Sequence, residues 1–117
     1  MFDIVGVGTN SVDEVLQLPV DLAALLVSGK ARVADRHVLC GGQTATLTAA
    51  CAALGLRSRY VGAFGSDENG ARARSALSSQ GVDLTGAIDC ETPNRSAVVL
   101  VDPGGNRTVC WYRSDNL

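Results

Sequence analysis

From Thr44 to Leu54 the chain runs through eleven residues of Ala, Leu, Thr and Cys without one charge, bracketed by Gly41-Gly42 and Gly55. Gly55 stands where a helix C-terminus is usually closed, so the run predicts a helix, and a helix with no polar face is expected to be buried all round. The small side chains of Ala45, Ala49, Ala50, Ala52 and Ala53 would let a sheet or a second helix approach closely. Such a helix needs layers on both sides of it, which confines the chain to a packed multilayer fold.

The flanking text supplies strands. Phe2 to Gly8 is a β-prone run closed by glycine and predicts a buried strand; Val12 to Leu18 predicts a second, and Ala31 to Cys40 a third that ends at the Gly41-Gly42 turn. Asp21 to Leu26 can form one short helix before Gly29. Arg59 to Phe64 reads as another strand, followed by Ser66-Asp67 as an N-cap and a helix from about Glu68 to Ser79 that Gly81 ends. Strand, helix, strand repeated in this way predicts βαβ units, hence the α/β class with a parallel sheet. After Pro93 the pattern changes. Arg95 to Val101 and Arg107 to Arg113, joined by Asp102-Pro103-Gly104-Gly105-Asn106, predict an antiparallel hairpin at about residues 92–113, in the manner of a flap or lid.

Bulk properties narrow the function. With 117 residues the chain is long enough for one domain with a modest core, and a net charge of −2 provides no basic field for nucleic acid or acidic lipid. Met1-Phe2-Asp3-Ile4 has no positive leader, and Gly6, Gly8 and Asn10 interrupt the apolar run behind it, so neither a signal peptide nor a membrane span is expected and the location expected is cytoplasmic. Cys40, Cys51, Cys90 and Cys110 form no CxxC pair and His37 is alone, so no metal site is expected and the thiols are expected to be reduced, small buried hydrophobes. The sequons at Asn94 and Asn106 are read as chance.

Several residues suggest chemistry. Gly6-Val7-Gly8 follows a strand, but a dinucleotide loop requires a third glycine and an immediate helix, and Asp13-Glu14 would repel a pyrophosphate. Asp13 is placed by this reading just beyond a strand end, where open α/β sheets hold ligands; its two acceptor oxygens suit vicinal hydroxyls, with a solvated loop acid or helix cap as the alternative. Gly41 and Gly42 leave backbone N–H groups accessible at a helix start, and Gln43 and Thr46 add hydrogen-bonding side chains; a plain tight turn capped by Gln43 or Thr44 explains the same text. Asp67 is expected to be a structural cap. Trp111 and Arg113 offer a flat apolar face and a fixed cation for a sugar ring, or, for Trp111, core packing.

These pieces together resemble the ribokinase, or PfkB, family of carbohydrate kinases. The strongest stretch is Cys40 to Ala50 with Leu54-Gly55 after it, where the family has two glycines, an asparagine a few positions on, a run of small residues and a glycine. Val61 to Gly70 resembles the family's next block, and Gly81-Val82-Asp83 its continuation. The resemblance implies a ribokinase-like parallel-sheet sandwich with an antiparallel β lid, residues 1–117 forming the N-terminal sugar-binding part. By position, Asp13 matches the family's sugar-hydroxyl acid, Ser11 a nearby polar contact, and Gly41 and Gly42 the glycine pair beneath the sugar. Thr46 stands where the family has asparagine, keeping a hydroxyl but losing the amide. Arg95 to Arg113 resembles the lid, and its terminal Trp-Tyr-Arg is similar to members acting on fructose or keto-deoxy sugar acids.

What the resemblance implies for activity is phosphoryl transfer from ATP, with Mg²⁺, to a hydroxyl of a monosaccharide, sugar acid or nucleoside. The family's catalytic base and ATP site lie downstream of the positions matched here, so no catalytic or cofactor-binding residue is assigned to this chain, and the chain alone is expected to be inactive. A non-catalytic sugar-binding or interaction module of the same fold is the alternative. Exposed lid strands leave a homodimer through the lid as a further expectation.

Overall fold

A computed structural model of the chain describes residues 1–112. Strands β1 (Ile4–Val7) and β4 (Ser58–Val61) pair in parallel, as do β5 (Ala63–Gly65) and β6 (Ile88–Cys90). A single parallel bridge between Arg59 and Asp83 joins the stretch before β6 to β4. The strand expected over Arg59 to Phe64 is thus two strands interrupted at Gly62, where a Cβ would lie 2.2 Å from the Gly8 carbonyl oxygen. Helices α2 (Gln43–Ala53) and α3 (Glu68–Ser79) complete this α/β body. Both end on the same backbone device. The N–H of Gly55 reaches the Ala52 carbonyl and that of Leu56 the Cys51 carbonyl, while Gly81 and Val82 do the same to Ser78 and Leu77.

The remaining strands form a separate sheet in the order β3-β2-β7-β8, from β2 (Ser11–Gln17), β3 (Asp35–Gly41), β7 (Ser96–Val101) and β8 (Arg107–Trp111). β2 runs antiparallel to β3 and parallel to β7, and β7 to β8 is the predicted hairpin. The hairpin is therefore the outer half of a four-stranded sheet. Helix α1 (Leu22–Ser28) bridges β2 and β3, ends at Gly29 as expected, has Asp21 as its N-cap and not as its first residue, and buries none of its side chains. The β7–β8 turn is pinned by the buried Asp102, which accepts from the Asn106 amide N–H and side chain and from the Leu22 N–H.

The core joins the two parts through few residues: Val12 from β2, Ala45 from α2, Tyr60 and Phe64 from the body strands, Ala73 and Leu77 from α3, and Val82. The Tyr60 and Phe64 rings lie 5.5 Å apart at 53°. Gly70 lets α3 press on β5, since a Cβ there would come within 2 Å of the Gly65 carbonyl oxygen.

Two burial expectations are corrected. Helix α2 buries only Ala45 and Thr48, and Leu47 and Leu54 are 50% and 81% exposed, because the sheet covers one side of the helix and nothing described covers the other. Strand β1 buries Gly6 against Thr44 and Thr48 but leaves Val5 and Val7 51% and 74% exposed, because α2 and α3 share the Tyr60 side of the sheet. The molecule is correspondingly thin, 55 × 32 × 17 Å, with a radius of gyration of 16.3 Å where a compact chain of this length has about 13 Å. The cysteines are free as expected, but Cys40 and Cys110 are exposed rather than buried, since both lie on edge strands. Among the described residues no helix is long and apolar enough to cross a membrane.

Candidate functional site

The four-stranded sheet fixes the relation of the predicted site residues. Ser11, Leu39, Asp13, Ala97 and Trp111 share one of its faces by register, because Asp13 lies opposite Leu39 on one side and Ala97 on the other, and Ala97 opposite Trp111. Asp13 is therefore the third residue of β2, paired on both sides. It is neither in a loop beyond a strand end nor a helix cap, because β2 starts only four residues after β1 ends. The Ser11 hydroxyl donates to Asp13 Oδ1 at 2.7 Å, which orients the carboxylate.

Gly41 is opposite Ser11 in the ladder, and a Cβ on it would sit 3.8 Å from Asp13 Oδ2, so glycine leaves the space beneath the carboxylate open. Gly42 is the N-cap of α2 with φ 96°, and a side chain there would run into Asn10 Cα at 2.6 Å. No side chain caps this helix, and its first turn contains no acid, so neither Gln43 nor Thr44 plugs the N-terminus. Such an end attracts acceptor atoms and negative charge.

Ser11, Asp13, Gly41 and Gly42 thus form one corner where sheet, turn and helix meet. The other predicted residues are more dispersed. Gln43 is exposed at the head of α2, and Thr46 lines an apolar cleft of about 420 Å³ between α2 and α3, together with Gly41, Ala49, Ala53, Ala76 and Leu77. Trp111 is 68% exposed and packs into no core among the described residues, and it is two strands from Asp13, about 10 Å between backbones. Arg113 lies outside the described residues.

Asp67 is a cap, as its sequence position predicts: its Oδ1 accepts from the Gly70 N–H at 3.0 Å, and also from the Asn94 N–H at 3.0 Å. The second bond belongs to a buried polar chain that the sequence did not disclose. Asn94 Oδ1 accepts from the Gly65 N–H, Asn94 Nδ2 donates to Asn10 Oδ1, and Asn10 Nδ2 donates to Ala63 O and Tyr60 Oη. The Tyr60 hydroxyl donates to Gly8 O, and burial pushes its pKa up. Asn94 is 4% exposed, consistent with its sequon being chance. A buried asparagine reads in sequence like any loop asparagine, and only the spacing of Asn10 ahead of Asp13 could have drawn notice.

The step from Gly8 to β2 has no intervening helix, so the geometry of a dinucleotide loop is absent there. Among the described residues no group of three His, Cys, Asp or Glu side chains is placed to hold a metal ion.

Known proteins resemble this chain in sequence and fold. A model described as pfkB family carbohydrate kinase matches residues 10–117. An ATP-dependent ribose-1-phosphate kinase from Halopiger xanaduensis is 37% identical over 83 residues, 69% of this chain and 28% of that protein. Ribokinase from Thermotoga maritima superposes with a TM-score of 0.79 at 22% identity, over 96% of this chain and 36% of the other. Fructokinase from Xylella fastidiosa with bound ATP superposes with a TM-score of 0.75 at 27% identity, over 94% of this chain and 32% of the other. The fold is ribokinase-like α/β, and the chain spans about a third or less of the length of these proteins.

Proposed function

Because the chain belongs to the pfkB family of carbohydrate kinases, we propose that it forms the acceptor-binding part and lid of an enzyme transferring the γ-phosphoryl group of ATP to a hydroxyl of a monosaccharide, sugar acid or nucleoside. The observation that carries this reading is the corner of Ser11, Asp13, Gly41 and Gly42, with Asp13 held by Ser11 at 2.7 Å and open space beneath it. An ionised carboxylate accepts hydrogen bonds from two neighbouring hydroxyls, and a hydroxyl held so is presented in one orientation. Phosphoryl transfer depends chiefly on such positioning and on stabilising charge at the transferred group.

The uncapped α2 N-terminus beside this corner would take a carbonyl, ring oxygen or anionic substituent of the acceptor. A phosphorylated pentose therefore belongs among the acceptors to be tried, as the name of the Halopiger xanaduensis relative also suggests. Gln43, Thr46, Trp111 and Arg113 are proposed as outer contacts. Trp111 would offer its indole face to a sugar ring entering along Ala97, and the four-stranded sheet would act as a lid that excludes water from the transferred group.

ATP and Mg²⁺ would be held mainly by a part of the enzyme beyond this chain, which would also supply the catalytic base. When bound, they supply the phosphoryl group and the charge that balances it. The residues of this chain bind the acceptor, orient it and keep water out. The unpaired outer edges of β3 and β8 make a homodimer through this sheet a further part of the proposal.

The test is ATP consumption by the full-length enzyme containing this segment, against ribose, ribose 1-phosphate, fructose, keto-deoxy sugar acids and adenosine. One acceptor is expected to be phosphorylated saturably, and Asp13→Ala is expected to raise its KM by roughly 10- to 100-fold, the loss of one or two hydrogen bonds to a charged group. A well-folded enzyme that phosphorylates none of them would instead favour a non-catalytic sugar-binding module.

A further inference from the structure

The four-stranded sheet and the body meet over very little apolar surface. Of the sheet's residues only Val12 enters the buried core cluster, with Val38 partly buried against it. A joint with so little packing would be free to rock unless directional bonds fixed it. Three chain crossings between body and sheet converge on one point. The chain enters the sheet at Asn10, between β1 and β2. It leaves at Gly42, which packs on the Asn10 backbone, and Ala45 of α2 donates its N–H to Thr9 O at 3.2 Å. It enters again at Asn94, two residues before β7.

We propose that Asn10 and Asn94 are positioning residues that hang the four-stranded sheet on the body at one resting angle in the unliganded chain, and thereby set the distance of Asp13 from the α2 N-terminus. The polarity of the pair has a single solution. Ala63 O can only accept, so Asn10 must turn Nδ2 toward it, at 2.6 Å; Gly65 N can only donate, so Asn94 must turn Oδ1 toward it, at 2.9 Å. The groups left facing each other, Asn10 Oδ1 and Asn94 Nδ2, are then complementary and meet at 2.9 Å. The second Asn94 Nδ2 hydrogen reaches Arg95 O, and the second Asn10 Nδ2 hydrogen reaches Tyr60 Oη.

Among the described residues no buried side-chain N or O lacks a partner. Asn10 and Asn94 are 3% and 4% exposed, so water does not compete for these bonds. A fully satisfied buried network of this kind contributes more to a unique geometry than to net stability, because its bonds are directional and apolar packing is not. Asp13 follows Asn10 by three residues on the same strand, so any rotation of the sheet about this joint moves the carboxylate relative to the α2 N-terminus. Only this last consequence rests on the acceptor-site reading; the fixed angle does not.

The experiment is NMR on the isotopically labelled 117-residue chain, with residual dipolar couplings fitted separately for the sheet (β2, β3, β7, β8) and the body (α2, α3, β1, β4). The parent chain is expected to fit one alignment tensor. Asn94→Leu, branched like asparagine though larger and without its bonds, is expected to need two, while amide exchange within the β2–β7 ladder and within α3 stays within about twofold of the parent. Two tensors in the parent chain, or one in Asn94→Leu, would overturn the proposal.

Should Asn94→Leu fail to fold, Tyr60→Phe decides. It removes only the hydroxyl that accepts from Asn10 and donates to Gly8 O, and two tensors are expected. One tensor, or unfolding of this variant too, would make the network a support of the fold and not of the angle. Ribose and ribose 1-phosphate titrated into the same samples report the acceptor side. Binding by the parent that weakens about tenfold in the two-tensor variant links the joint to Asp13. No binding by the parent counts against the acceptor site in this chain and leaves the tensor result standing.

Discussion

The body and the four-stranded sheet solve opposite problems. The body has the deepest burial in the molecule, with Tyr60 and Thr48 0% and Phe64 1% exposed, yet only one side of its parallel strands is covered. Parallel strands are normally buried on both faces, so Val5 and Val7 mark a surface that calls for another layer. The sheet has no deep core of its own, but it is closed in hydrogen-bonding terms except at its two edges, and its exposed apolar residues, Leu39, Val109 and Trp111, lie on the face that also carries Asp13. Incompleteness in the body thus concerns a bare sheet face, whereas openness in the sheet lies on the face proposed to meet the acceptor.

The sharpest way to break this contrast is Phe64→Ala. Removing a fully buried ring from the core cluster should cost about 4 kcal/mol, and with a core this small the chain is expected to lose its cooperative urea transition altogether. If the β2–β7 ladder stayed protected in hydrogen exchange after the body had melted, the sheet would be a folding unit in its own right, and the contrast would be stronger than stated. Asp67→Ala is a smaller perturbation on the boundary between the two. It removes the α3 cap and leaves the Asn94 N–H without its acceptor, so a loss of about 2 kcal/mol in urea unfolding is expected, at the upper end for a cap. A loss of a few tenths would mean that the cap matters and its tie to Asn94 does not.

Acid is the mildest probe. Bonds from Arg57 hold Asp3 at a pKa of about 2, against an ordinary value of 3.8, and in the sheet the Asn106 side chain holds Asp102 below the usual carboxylate range. A carboxylate whose folded pKa is depressed contributes its full stabilisation above the unfolded pKa and loses it as the pH falls through the folded one. Urea midpoints are therefore expected to fall between about pH 4 and pH 2. Arg57→Gln should flatten the Asp3 contribution, and added salt should weaken it, because Asp3 and Arg57 are both on the surface.

Local chemistry was legible in the sequence and distant pairing was not. Asp67, Gly29, Gly55 and Gly81 declare helix ends because caps act within a few residues, and Asp102 to Asn106 declares its turn for the same reason. The β2–β7 pairing, which joins Val12 to Ser96, has no such signature, and so the sheet was visible only as its β7–β8 half. The all-apolar text of α2 was read as burial on every side, but among the described residues only one side of the helix is covered. Ser11, Asp13, Gly41 and Gly42, the corner proposed to hold the acceptor, were singled out through motif and spacing. Asn10, Tyr60 and Asn94 were not, since fifty and more residues separate the partners of these bonds.

Helix α1 carries one last implication. It buries no side chain and is fastened at its start by Asp102, at the strand ends opposite Asn10 and Asn94. The stretch from Val27 to Ala34 can therefore grow or shrink without disturbing Asp13 or the helices beneath, and variation in length among descendants of such a protein should accumulate there first.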